Sequence, residues 1–356
     1  MSSHSNTRHP ISDTYLRASL CSVLCVAAGL VITLVLTLAA FGLPLGPSLR
    51  LLWEGAVGDK YGIARTLVKA TPLVLSGLGI VVAWRAGMYN IGGEGQFVMG
   101  AVCGAAVAKL FWNLPGSILN PVILLGCIAG GAIFAGIAAL LQVYRGVQCV
   151  ISTILLNFVA LQLLDWAASG PLRQSVSTMP LSRQLPDLVM LKRFDPQTDL
   201  HSGIFIAVVL VAVIYVFMYL TKGGFKLRLV GENVRAAKAN RISSDRVQIG
   251  AMLLSGGLAG LAGGIQYTGI AGVIGGGTSQ NWGFLAIPVA LLGGLHPVGV
   301  LLSSLYFGAL FAGSENLARF TPSGTTIVYV IQAVAVLVFI ALKSILGRGR
   351  TRAEYV

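Results

Sequence analysis

Charge is what this chain has least of. Asp and Glu together number 12 in 356 residues, and all charged types make up 10%, against about 25% in an ordinary soluble domain. So few charges cannot cover a soluble fold of this size, and no polar linker divides the chain into smaller domains. Cysteine is sparse too. Cys21, Cys25, Cys103, Cys127 and Cys149 lie in or beside apolar runs, with no CxxC pair and no histidine spaced to share a metal. They read as small buried hydrophobes, which excludes a disulfide scaffold and gives no metal site. No G-x-x-x-x-G-K-[ST] stretch occurs, so the chain is not its own ATPase by that route. HExxH and GxSxG are absent, and no paired carboxylates occur within an apolar region. His4 and His9 are in the tail, and His201 and His296 are at helix ends. A membrane-embedded enzyme would need clustered His, Asp or Glu near an interface, and only Glu94 qualifies. An ion-coupled secondary transporter would need several buried carboxylates, which the longest uncharged interval does not supply.

Apolar residues are what the chain has most of, at 55%, with 45 glycines and 13 prolines and a mean hydropathy of +0.82. No charge occurs from Ala18 to Leu49, Leu110 to Tyr144, Gly146 to Leu164, Leu200 to Thr221 or Phe320 to Leu342, and the longest such interval, Val247 to Ser314, runs 68 residues. A membrane-spanning helix needs about 20 apolar residues. The expected fold is therefore all-α: a polytopic integral membrane protein of about ten transmembrane elements. They are placed at about 18–41, 67–84, 93–112, 120–143, 149–168, 203–221, 247–268, 283–295, 298–317 and 325–345. The eighth is short for a full span and could be re-entrant. The first is too long for a signal-peptide core of about 7–15 residues, which makes residues 1–17 an N-terminal tail, 18–345 the transmembrane domain and 346–356 a C-terminal tail.

The net charge of +13 follows topology rather than a nucleic-acid footprint, because the 25 basic residues are dispersed between apolar segments. Both tails are basic, so both termini are expected in the cytoplasm and the number of crossings is even. The 222–246 loop carries seven basic residues against Glu232 and Asp245, which suits the cytoplasmic side; the 165–202 loop carries four of each sign and suits the outside. The stretch Gly42–Ala64 mixes apolar and charged residues and is expected to lie in the outer interface.

Residues 85–96 are the most informative. Arg85-Ala86-Gly87-Met88-Tyr89-Asn90-Ile91-Gly92-Gly93-Glu94-Gly95-Gln96 puts four glycines, an acid and two amides between two apolar runs. A broken helix fits better than a continuous one, and irregular backbone at membrane depth survives only inside protein or beside a watery cavity. A helix starting near Gly92 would place Glu94 in its first turn, where the macrodipole favours a carboxylate. Glu94 either pairs with Arg85 to pin the turn or borders the path, and both can hold. Ser76-Gly77-Leu78-Gly79 and Ser255-Gly256-Gly257-Leu258 open similar runs in helices of opposite direction, the pattern of an inverted repeat.

The segment RAGMYNIGGEGQFVMGA (85–101) resembles the hallmark of nucleoside and simple-sugar permeases of bacterial ABC importers. These form part of the branched-chain amino acid/ribose-type permease superfamily, in the subgroup linked to basic-membrane-lipoprotein-type binding proteins. Further resemblance lies in TLVKATPLVLSGLGIVVAWRAG (66–87), VISTILLNFVA (150–160), FKLRLVGENVRAA (225–237) and VALLGGLHPVGVLLSSLYFGAL (289–310). The resemblance implies a permease subunit in the bacterial cytoplasmic (inner) membrane, with no cofactor of its own. ATP would be bound by a separate subunit with duplicated nucleotide-binding domains. A second, different permease chain, an extracytoplasmic solute-binding lipoprotein and membrane lipid complete the expected partners; nucleic acid is not among them.

It also implies that Gly231, Glu232, Asn233, Arg235, Ala236, Ala237 and Lys238 belong to the segment on which the ATPase docks. Here Val234 replaces the family's usual Pro, Asn240-Arg241 replace an Ala-Gly pair, and Pro288 replaces an Ala. Candidate residues of the solute path are Asn90, Gly92, Glu94, Gln96, Thr153, Asn157, Gln280, Asn281, Trp282 and Phe284. Thr153 and Asn157 are four apart and share one helix face, where interhelical hydrogen bonding would explain them equally well. Apart from Glu94, these side chains are uncharged, which suits a neutral polar solute: a nucleoside first, a simple sugar as the alternative.

Overall fold

The computed structural model describes residues 41–174 and 179–321, with isolated positions at 35, 38, 39 and between 329 and 338. The expected first and tenth elements, 18–41 and 325–345, and both tails fall largely or wholly outside the described residues. The other eight expected elements are helices. The chain divides into two compact units, residues 55–312 and a second made of the residues before 55 and after 312.

The larger unit contains α2 (Lys60–Arg85), α3 (Gly93–Leu110), α4 (Gly116–Arg145), α5 (Cys149–Ser169), α6 (Gly203–Leu220), α7 (Lys222–Glu232), α8 (Val234–Ala239), α9 (Ser244–Gln266, extended by a π turn at Tyr267–Ala271), α10 (Trp282–Leu292) and most of α11 (Pro297–Arg319). In the other unit, α1 (Leu45–Trp53) precedes a short π turn, and Asn316 Nδ2 at the end of α11 donates to the Leu51 carbonyl at 2.8 Å. The region 42–64 is thus helical over most of its length from Leu45, and the second expected span begins at Lys60 rather than 67. Asp59 explains that start: its carboxylate caps the Gly62 N–H.

Six helices among the described residues are long and apolar enough to cross a membrane: α2, α4, α5, α6, α9 with its π turn, and α11. α10, at 11 residues, is about 16 Å long and cannot span alone. α3 is longer but carries Glu94, Gln96 and Lys109. α2 and α9 are the central pair. Nearly nine-tenths of the apolar window of α2 is buried within the protein, against one-third for α5 and α6. Those outer helices expose Phe158, Phe205 and Leu155, suited to lipid or a partner chain.

Close packing rests on small residues, as expected where lipid gives no hydrophobic drive between helices. α4 and α9 cross at Gly131 and Gly260, where an added Cβ on Gly131 would meet the Gly260 backbone at under 3 Å. The two glycine quartets noted in the sequence face each other: Gly79 of α2 lies against the Ser255 carbonyl of α9.

Contacts at the helix ends sort the connections into two sets. Lys60 and Tyr61 of α2 meet Asp195 and Gln197, Lys109 of α3 donates to Pro171 O, Asn120 of α4 donates to Val189 O, and Leu191 N donates to Thr268 O of the α9 extension. The 170–202 connection therefore gathers at one end of the bundle. At the other end, α7 packs where α2 stops. α2 and α9 are antiparallel, and each is followed by an irregular linker and a helix start.

Candidate functional site

The hallmark segment forms the break foreseen in the sequence. α2 ends at Arg85, Gly87 turns with φ +76°, and α3 begins at Gly93. The intervening backbone is held by buried side chains from three helices. Asn90 and Gln96 exchange two hydrogen bonds at 2.9 Å, and Asn90 Nδ2 also donates to Ser255 Oγ at 3.0 Å. Asn90 Oδ1 accepts from Gly92 N at 2.9 Å. Thr153 Oγ1 accepts from Ile91 N at 3.2 Å and donates to Cys149 O at 2.7 Å. Asn157 bridges both sides of the break: its Nδ2 donates to Ile91 O at 3.1 Å and its Oδ1 accepts from Gly95 N at 2.8 Å. Gly92 offers α3 no side-chain cap, so an asparagine from α5 satisfies one of the otherwise orphaned donors.

Glu94 is fully buried, but it does not pair with Arg85. Its carboxylate accepts from Ser279 Oγ at 2.6 Å and from Gly283 N at 2.7 Å. α10 lacks a side-chain cap of its own and enters through Asn281 in the left-handed conformation, φ +61°. Glu94 therefore stands in the first turn of α3 and caps the start of α10 as well. Two positive helix ends meet head to head around one carboxylate. The meeting is close enough that a Cβ on Gly283 would overlap the backbone of Gly93 and Glu94. The pair α2–α3 and the pair α9–α10 thus share one plan, the arrangement an inverted repeat produces.

Arg85 instead reaches the far end of α10. Its Nε donates to Leu295 O at 3.1 Å and its Nη2 to Gly294 O at 3.4 Å. The two charged residues of the hallmark hold opposite ends of the same short helix.

The candidate path residues separate into two groups. Asn90, Gly92, Glu94, Gln96, Thr153 and Asn157 come together, buried, and their hydrogen bonds support the break. Gln280, Asn281 and Phe284 are exposed around the entrance of α10. Trp282 is buried between them. Its Nε1–H has no acceptor among the described residues, and its ring lies 5.4 Å from that of Phe311. Four participants were not foreseen: Ser255, Ser279, Gly283 and Lys69. The Lys69 ammonium lies 5.8 Å from the centre of the Trp282 ring, and a lysine nine residues into an apolar helix was the available signal.

The 222–246 loop is not irregular. It contains α7 and α8, with Asn233 Oδ1 capping α8 through Ala236 N at 3.0 Å. The family departures acquire reasons here. Val234 occupies the first position of α8, where Pro is favoured but its missing N–H is not essential. Arg241 adopts φ +57° just after α8, where glycine is the usual residue. Glu232, Val234, Arg235 and Lys238 are exposed and Ala236 is half-buried, but Ala237 is fully buried. The Ala237 side chain therefore packs inward instead of forming part of a docking surface.

A family profile described as branched-chain amino acid transport system / permease component matches residues 62–347. The chain belongs to that family. The permease is 34% identical over 292 residues to the glucose ABC transporter permease protein TsgB13 of Haloferax volcanii, covering 79% of this chain and 77% of that one. It is 31% identical over 320 residues to the guanosine ABC transporter permease protein NupP of Bacillus subtilis, covering 88% and 90%. Against the nucleoside ABC transporter permease protein NupB of Lactococcus lactis it is 29% identical over 307 residues, covering 83% of each. It is a multi-pass membrane protein and the permease component of an ABC transport system.

Proposed function

We propose that this permease imports a nucleoside, powered by ATP hydrolysis on a separate subunit with duplicated nucleotide-binding domains. A solute-binding lipoprotein delivers the nucleoside from outside, and a second, different permease chain encloses the path with this one. The chain sits in the cytoplasmic membrane with both termini inside; the basic tails and the seven cations of 222–246 support that orientation. The observation that carries the solute assignment is the rim at the α10 entrance. There the uncharged amides of Gln280 and Asn281 and the ring of Phe284 are exposed beside the Trp282 indole, whose donor has no acceptor among the described residues. Amides and an indole N–H match sugar hydroxyls and base edges, and aromatic faces stack on a nucleobase. The guanosine and nucleoside transporters among the relatives support the same reading.

A simple sugar is the second reading, favoured by the 34% identity to a permease named for glucose. The test is selectivity of the complete reconstituted importer toward labelled nucleosides, glucose, a basic amino acid and a phosphorylated sugar. Uptake of glucose without nucleosides would replace the substrate and keep the mechanism. Uptake of a charged solute alone would refute the neutral path, because a charge crossing a low-dielectric path needs compensating charges.

A further inference from the structure

We propose that Arg85 is a positioning residue for coupling: it carries motion of the α7–α8 segment to the short helix α10 and so to the Glu94 junction. The proposal rests on the reading of residues 231–238 as the ATPase docking segment. Three observations support it.

The first is a direct backbone contact. Gly231, at the end of α7, lies so close to the last turn of α2 that an added Cβ would overlap the Arg85 carbonyl and crowd the Gly87 nitrogen at 3.0 Å. A displacement of α7 therefore presses on the residues that aim the Arg85 side chain, because a packed contact of this kind transmits strain instead of absorbing it.

The second is the grip on α10. The Arg85 guanidinium donates to Leu295 O and Gly294 O in the turn that ends α10, at the negative end of that helix dipole and of its own. Gly294 and Leu295 both have positive φ, +66° and +53°. The left-handed region is costly for a leucine, so an external hold on its carbonyl helps to keep the turn in place.

The third is the clamp at the other end. Glu94 holds the start of α10 through Gly283 N and Ser279 Oγ. α10 is only 11 residues long, so it is slung as a short rod between two charges nine positions apart in one segment. Motion applied at Arg85 reaches Gly283 through the Gly293–Leu295 turn and the 11 residues of α10. A second contact runs alongside: the Arg228 guanidinium of α7 lies 4.8 Å from the Tyr219 ring centre, and Tyr219 lies 5.2 Å from His296 of the same turn.

The experiment uses the complete importer in proteoliposomes, with Arg85→Gln, Arg85→Lys and Val234→Glu. The readouts are ATPase co-purification, ATP hydrolysis, nucleoside uptake, and the nucleotide-dependent change in labelling of a cysteine placed by Val298→Cys, exposed in the first turn of α11, in a background from which the five native cysteines are removed. Arg85→Gln is expected to keep the ATPase bound and hydrolysis within about twofold of the parent. Uptake falls by about tenfold or more, the scale of losing a charged hydrogen-bonded hold, and the labelling change at position 298 disappears. Arg85→Lys, which keeps the charge but not the forked geometry, falls between.

Parent-level uptake and an unchanged labelling response in Arg85→Gln would overturn the proposal. If that variant fails to assemble, Arg85→Lys decides, and parent behaviour there overturns it. Val234→Glu separates the underlying reading. Glutamate suits the first turn of α8 but puts a charge on the exposed docking face, so the ATPase should be lost. Retention of ATPase and uptake would remove the docking assignment and the proposal with it. Lost docking in Val234→Glu together with normal uptake in Arg85→Gln would refute the Arg85 role alone.

Discussion

Glu94→Ala is the sharpest perturbation of the junction. The substitution removes the acceptor for Ser279 Oγ and Gly283 N and exposes two helix N-termini to each other without the charge between them. Charged hydrogen bonds contribute about 1.5–3 kcal/mol each, so losing the two that Glu94 accepts costs about 3–6 kcal/mol in all. Glu94→Gln keeps the volume and one carbonyl acceptor, and Ser279 can rotate to accept from the new amide. Its cost is then the loss of charge at the helix ends, about 1–2 kcal/mol. SDS titration of the purified permease in mixed micelles, followed by near-ultraviolet circular dichroism, ranks the three proteins. The order parent, Gln, Ala with those spacings is the expected result. An alanine variant within about 0.5 kcal/mol of the parent, the range of an inconsequential surface change, would show that Glu94 does not hold α10.

Three further perturbations address separate elements. Gly283→Ala forces a methyl group into the backbone of Gly93 and Glu94; it should destabilise by about 1–3 kcal/mol or more, with a loss of uptake that Glu94→Gln does not exceed. Arg241→Gly should stabilise by about 0.5–1 kcal/mol, because Arg241 sits at φ +57°; equal or lower stability in the same titration would contradict this. His201 in the 170–202 connection is buried and accepts from Gly203 N through Nδ1. Burial first, and then the nearby Arg193 charge, lower its pKa to about 4, with Asp199 acting in the opposite sense. Above pH 6.5 it is neutral folded and unfolded. Between pH 6.5 and about 4 the unfolded chain takes up a proton that the folded one refuses, so stability falls with pH, by about 3 kcal/mol in total, and levels off below. His201→Asn should flatten that slope between pH 6.5 and 4; an unchanged slope would assign the acid sensitivity elsewhere.

Much of this molecule is legible because the bilayer restricts what a chain can do. Charge-free intervals place six helices that the structure contains, apolar runs interrupted by Lys69, Glu94 and Lys109 place two more, and glycines with an acid and two amides identify the break at Asn90–Gly93. The partners of that break are less legible, since they are set by the packing of distant segments. Arg85 and Glu94 are close enough in sequence to suggest a pair, yet each meets a different end of α10, roughly two hundred residues away. Ser279 and Ser255 give no periodic signal, being single hydroxyls in a polar loop and a glycine-rich helix. A short loop helix such as α8 leaves only a cap, Asn233, and three alanines as its trace, and their spacing does not tell that Ala237 faces inward. The departure at Arg241 becomes intelligible only once its φ is known.

ATP-driven nucleoside uptake tests the transport role most directly. Proteoliposomes containing this permease, its second permease chain and the ATP-binding subunit are supplied with the binding protein outside and ATP inside, and the entry of labelled guanosine is followed. The expected result is accumulation that requires ATP and the binding protein, and that continues when proton and sodium gradients are collapsed. Accumulation driven by an ion gradient in the absence of ATP would contradict it.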